Sequence, residues 1–180
     1  MADLPLGFPP ATPEGKIEIK TYPAYRSITY EHHGNLPRAS QAAFNALYRH
    51  ISSNQISMTT PVEVRYPDHA ATATITPTNL ADTGTAKVSF IYPQPDITPQ
   101  QVGNDVCVTD HPAITVASIG IRGAYTWESY QQHWQQLQSW LQQHPEYEIV
   151  GSPRRFLYNS PYTPVEKKMS EVQIPIQKKE

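Results

Sequence analysis

The chain has 180 residues, 14 Lys and Arg against 16 Asp and Glu, and one cysteine. That length suits one domain with a core of its own, the charge balance argues against nucleic acid as the main partner, and a lone cysteine excludes an internal disulfide. Eighteen prolines and eleven tyrosines favour short strands and corners over a helical bundle.

Residues 1–15, rich in Pro with Gly7 and Gly15, read as a flexible arm on the surface or disordered, ahead of a domain spanning 16–177. Ile17 and Ile19 alternate with Glu18 and Lys20, and Tyr25, Ser27 and Thr29 alternate with Arg26, Ile28 and Tyr30. This predicts an edge strand bent at Pro23. Gly34-Asn35 ends it, and Asn35 caps a helix whose first turn accepts Pro37. Phe44, Leu47 and Ile51, with Ala39, Ala43 and Ala46, form the packing face of that helix. At the next corner Pro61 keeps Thr60 out of the helical region, and the Thr59 and Thr60 hydroxyls suit backbone groups at a strand start. Strands are predicted at 62–66, 71–76 and 88–92, separated by turn signals.

Cys107, in the apolar run 105–108, is expected to be a buried, inert thiol. A β-branched strand at 114–121 ends at Arg122-Gly123. Thr126 then precedes a helix with Glu128 in its first turn. Trp127, Tyr130, Trp134, Leu137 and Leu141 share one stripe of this helix and read as core, and Pro145 ends it. Strands follow at 147–150, 155–158 and 172–176. On the last, Val172, Ile174 and Ile176 suit a helix-packed face and leave Met169, Glu171 and Gln173 on the other. The order strand, helix, strand, strand thus occurs twice. It predicts an α+β fold, a mostly antiparallel sheet curling towards a distorted β-barrel of two βαββ repeats. There is no Gly-rich phosphate loop.

Several short runs occur in a telling order: Tyr22-Pro23-Ala24-Tyr25-Arg26, Met58-Thr59-Thr60-Pro61-Val62, Ser89-Phe90-Ile91-Tyr92-Pro93, Ile121-Arg122-Gly123, the stretch 155–163, and Ser170-Glu171-Val172. From about Ile17 to Ile176 the chain resembles the SOUL haem-binding proteins, with Ser170 where many relatives carry Asn. The resemblance implies a barrel related to the GyrI-like small-molecule-binding domains, with two helices on one side and a hydrophobic groove on the other. It also implies reversible binding of haem or metal-free porphyrin, with no shared catalytic centre.

A porphyrin needs apolar walls, cations for its propionates and, if iron is gripped, an axial donor. Met58, Phe90, Tyr92, Phe156 and Tyr158, together with Tyr22 and Tyr25, offer walls. Arg154 and Arg155, with Arg26 and Arg65, offer cations, and Glu171 stands in or beside the groove. Each has a plainer role as core aromatic or solvated head on a packed stem. His32, His33 and His111 are candidate axial ligands, and no pair of histidines has i, i+4 spacing. The expected function is an intracellular carrier or buffer of a small hydrophobic tetrapyrrole, without catalysis. Two alternatives stay open: a GyrI-like hydrolase with Glu171 as general base, and a non-catalytic interaction scaffold using the Pro-rich arm. Neither a secretory leader nor the ~20 apolar residues of a membrane span is visible. A soluble cytoplasmic protein with no nucleic-acid partner is therefore expected, and the sequence identifies no protein partner.

Overall fold

A computed structural model of the chain describes residues 2–67 and 81–180. The strand predicted at 71–76 lies outside them. The described residues form nine strands and two α-helices: β1 (Ile17–Tyr22), β2 (Tyr25–Asn35), α1 (Ala39–Ser53), β3 (Val62–Arg65), β4 (Thr83–Ile91), β5 (Cys107–His111), β6 (Ile114–Arg122), α2 (Trp127–Gln142), β7 (Tyr147–Ile149), β8 (Arg154–Leu157) and β9 (Met169–Lys178). All strand pairs are antiparallel, in the order β1-β6-β9-β8-β3-β4-β2-β5, with β7 attached to β9.

That order is a palindrome of the two halves. β2 pairs with β4 and β4 with β3, just as β6 pairs with β9 and β9 with β8; the halves meet where Glu63 of β3 faces Phe156 of β8. The α+β class with its doubled unit therefore stands. Among the described residues the sheet stops short of a closed barrel, because β1 and β5 remain its two edges. Two-residue links at Pro23-Ala24 and Pro112-Ala113 carry the chain from each edge strand to a strand at the sheet's opposite end. Tyr22 thus pairs with Ile114 beyond one corner and Tyr25 with His111 before it. Proline at such corners suits a chain that leaves one ladder and enters another, since it has no N–H to contribute.

Both helices cover the same face. Ala39, Ala43, Leu47 and Ile51 of α1 and Tyr130, Trp134, Leu137 and Leu141 of α2 join one buried cluster with Ile28, Val88 and Phe90 on one half-sheet and Ile119, Val172 and Ile174 on the other. The Trp134 stripe is core, as its spacing predicts. Thr126 accepts the Ser129 N–H at 3.1 Å and caps α2. Asn35 accepts the Arg38 N–H at 3.1 Å, but it caps a single 3-10 turn (Leu36–Arg38) that leads into α1. Phe44 departs from expectation: it is 40% exposed at the edge of the helix face, where it stacks on Tyr48 and meets Phe90 edge-on.

Cys107 also departs. It is exposed, because β5 is an edge strand and alternation turns Cys107 away from the side on which Val106 and Val108 meet the core. Among the described residues no helix is long and apolar enough to cross a membrane.

Candidate functional site on the helix-free face

Alternation on β9 sends Glu171 and Gln173 to the face without helices, as predicted, and the register carries Phe156 and Arg154 of β8 there with them. Glu63 of β3, Ser118 and Gly120 of β6, and Lys20 and Tyr22 of β1 follow by the same pairing rule. The result differs from the open greasy groove that the resemblance implies: side chains fill this face.

Charged groups buried in a protein must find partners, and here they form one continuous network. Glu171, fully buried, accepts from Lys20 Nζ at 2.7 Å, Tyr158 hydroxyl at 2.8 Å, Gln173 Nε2 at 2.9 Å and the Thr12 backbone N–H. Gln173 Nε2 also donates to the Tyr22 hydroxyl at 2.8 Å, while its Oε1 accepts from Arg154 Nε at 2.8 Å. Arg154, also fully buried, donates through Nη1 to Glu63 and to the Tyr25 hydroxyl, each at 2.9 Å. Arg65 donates to the same Glu63 oxygen at 2.8 Å. Burial alone would raise the Glu63 pKa, but the Arg154 and Arg65 charges outweigh it and hold the carboxyl at about 2. Burial, reinforced by Glu171 or Glu63, pushes the hydroxyls of Tyr22, Tyr25 and Tyr158 upward, so they remain neutral, with Tyr25 and Tyr158 donating to Glu63 and Glu171. One group is left over. Arg154 Nη2 is buried with no hydrogen-bond partner among the described residues.

Beside the network lies an aromatic cluster of Phe8, Tyr22, Tyr25, Phe156 and Tyr158, packed with Ile91 and Val116. The Arg154 guanidinium sits 4.2 Å from the Phe156 ring centre and 5.1 Å from that of Tyr22. Phe8 comes from the segment expected as a loose arm, which lies along this face with Pro5, Phe8 and Thr12 buried. Its ring meets Tyr22 and Tyr25 edge-on at 5.0 and 5.3 Å and stacks on Phe156 at 6.3 Å. The Thr12 hydroxyl reaches Ser118 at 3.0 Å.

The structure thus brings Arg154, Phe156, Tyr158 and Glu171 together and separates the other candidates from them. Phe90 lies under α1. Tyr92 lies on the helix side, bonded through its hydroxyl to His50 Nε2 at 2.7 Å, and burial pushes it up to about 12. Arg155 lies on the opposite face from Arg154, over the rings of Tyr125 and Tyr130. Met58 is 36% exposed at the corner, where Thr59 and Thr60 donate their hydroxyls to the carbonyls of Ile91 and Tyr158. Arg26 pairs with Asp110 at the surface. Of the three candidate histidines, His111 stands beside the cluster, stacked on Tyr25 at 4.3 Å and bonded to Ser27 at 2.9 Å. His32 bonds the Asn35 carbonyl and His33 bonds Thr85 at the far end of β2. Among the described residues no three His, Cys, Asp or Glu side chains converge as a metal site.

Sequence reasoning gave no role to Phe8, Thr12, Lys20, Glu63 or Gln173. The alternation of Glu171 and Gln173 with valine and isoleucine signalled two polar groups on one face. Nothing local signalled that a residue of the arm would meet them.

Comparison with solved structures places this fold among known ones. The chain superposes on EcmrR in a cryo-EM structure of its DNA complex with TM-score 0.71 and 14% identity, covering 91% of this chain and 57% of that one. The EcmrR C-terminal domain gives 0.69 and 12%, covering 91% and 98%, and a hydrolase from Listeria innocua gives 0.62 and 13%, covering 92% and 94%. At such identities the likeness is one of fold alone. This chain spans 57% of the length of the first of these relatives. No curated protein sequence matches it. The SOUL heme-binding protein model matches residues 10–175, nearly the whole chain, and the chain belongs to that family.

Proposed function

We propose that this protein binds haem or metal-free porphyrin reversibly on its helix-free face and acts as a carrier or buffer. The observation that carries this reading is the pairing of an aromatic cluster, Tyr22, Tyr25, Phe156 and Tyr158, with a buried guanidinium that keeps one unpartnered nitrogen, Arg154 Nη2. A macrocycle offers ring faces to the first and a carboxylate to the second. Lys20 adds a second cation at the same face. Family membership supports the ligand class. His111, stacked on Tyr25 beside this cluster, is the candidate iron donor, and burial lowers its pKa, which favours the neutral ring.

A hydrolytic role for Glu171 is weakly supported. Four donors occupy its two oxygens, which leaves little capacity to take a proton from a substrate.

The test is titration of the purified protein with haemin, with metal-free porphyrin and with the porphyrin dimethyl ester, followed by the Soret band. Binding of both acids with a weaker ester is expected. Equal affinity for haemin and the metal-free acid would mean the iron is not ligated, and failure of both acids to bind would remove the reading.

A further inference from the structure

Resting on the tetrapyrrole reading, we infer that residues 2–15 are an intramolecular occupant of the ligand site, displaced when ligand enters. Phe8 holds the place among Tyr22, Tyr25 and Phe156 that a ligand ring would take, and the Thr12 N–H caps Glu171. The segment brings a ring and a peptide donor to this face, while its two carboxylates lie elsewhere, Asp3 exposed and Glu14 paired with Arg122 at 3.3 Å, and Arg154 Nη2 has no hydrogen-bond partner among the described residues. A planar aromatic carboxylate supplies both ring and anion.

Apart from Phe8, the two bonds of Thr12 and an exposed Glu14–Arg122 pair at 3.3 Å, the segment is held through its backbone at separate points. Thr60 N–H donates to the Asp3 carbonyl at 3.0 Å, Leu6 N–H to the Pro93 carbonyl at 2.9 Å, and Gly15 N–H to the Gly120 carbonyl at 3.0 Å. Pro5, Pro9, Pro10 and Pro13 have no N–H to add to a ladder. Gly7 and Gly15 both take positive φ, at 78° and 76°, where glycine turns the chain without steric cost. Gly120 is the residue that admits the segment. It lies in β6, its φ falls outside the left-handed range, and a Cβ there would overlap the carbonyl oxygens of Thr12 and Pro13. Its lack of a side chain serves the docked segment rather than the strand. When a site is open for only a fraction of the time, the apparent affinity falls by that fraction.

The experiment uses the full chain in two forms. In the first, Thr12→Cys and Ser118→Cys are combined with Cys107→Ser. The side-chain oxygens of Thr12 and Ser118 are 3.0 Å apart, so a disulfide there would pin the segment, and reduction would free it in the same molecule. In the second, Gly120→Ala alone expels the segment. Each is titrated with metal-free porphyrin, which gives the new thiols no iron to ligate.

The oxidised form is expected to bind at least about tenfold more weakly than the reduced form, equivalent to about 1.4 kcal/mol. Gly120→Ala is expected to bind several-fold more tightly than the unaltered protein. Equal affinity in the oxidised, reduced and Gly120→Ala proteins would overturn the inference and leave the tetrapyrrole reading standing. No binding in any form, Gly120→Ala included, would overturn both.

Discussion

Glu63 and Arg154 form an ion pair at 2.9 Å with side chains 2% and 0% exposed, and this governs what changing either would do. Removing one partner of a buried pair strands the other, at a cost of about 3–5 kcal/mol. Arg154→Met is therefore expected to lower the unfolding free energy by that order, read as a lower urea midpoint, so its effect on ligand binding is inseparable from its effect on stability. Acid should act through the same pair. The Glu63 pKa falls from 4.5 unfolded to about 2 folded, so the folded state binds fewer protons in this range. Its stabilisation is complete above pH 4.5 and is lost as the pH falls towards 2, which urea titrations across that interval would show as a falling midpoint. Tyr92 makes the contrasting case. Tyr92→Phe removes its bond to His50 and is expected to cost about 1 kcal/mol of stability. Porphyrin affinity should not change, and a weakened Kd would place Tyr92 in the site after all.

At the scale of elements, helix ends and strand edges set the consequences. Thr126→Ala takes from α2 the acceptor of the Ser129 N–H, an N-cap loss of about 0.5–2 kcal/mol, and should leave tetrapyrrole titrations as they were. Among the described residues β5 has a strand on one side only, and its alternation puts Cys107 outward. Cys107 should therefore react with a maleimide in the native protein without denaturant. Protection until unfolding would contradict the edge placement. The apolar run around Cys107 was readable as a strand. Which face the sulfur takes was not, because one strand's pattern does not reveal whether a neighbour covers it.

In the whole molecule, two half-sheets meet at β3 and β8, helices cover one face, and a strap of the chain's own residues covers the other. Much of this was legible. Strand and helix periods are local, so the two βαββ units, the core stripe of α2, the corner at Pro61 and the inward row of Val172, Ile174 and Ile176 followed from neighbours in sequence. Of the candidate site, Glu171 was placed by alternation on its own strand and Phe156, Tyr158 and Arg154 were legible as ring and cation candidates, but that they share its face follows from the β8–β9 register. Arg154 and Arg155 show the limit: both looked like cations beside an aromatic wall, yet consecutive strand residues point to opposite faces, so the two arginines cannot share one site. The order of residues by itself determined the doubled fold and which residues of a strand share a face, since side-chain direction in a strand alternates with position parity. Only the tertiary structure decided that the sheet stays open and that Phe8 and Thr12 fill its helix-free face, because contacts such as Thr12 to Glu171, 159 positions apart, arise from packing and leave no period in the chain.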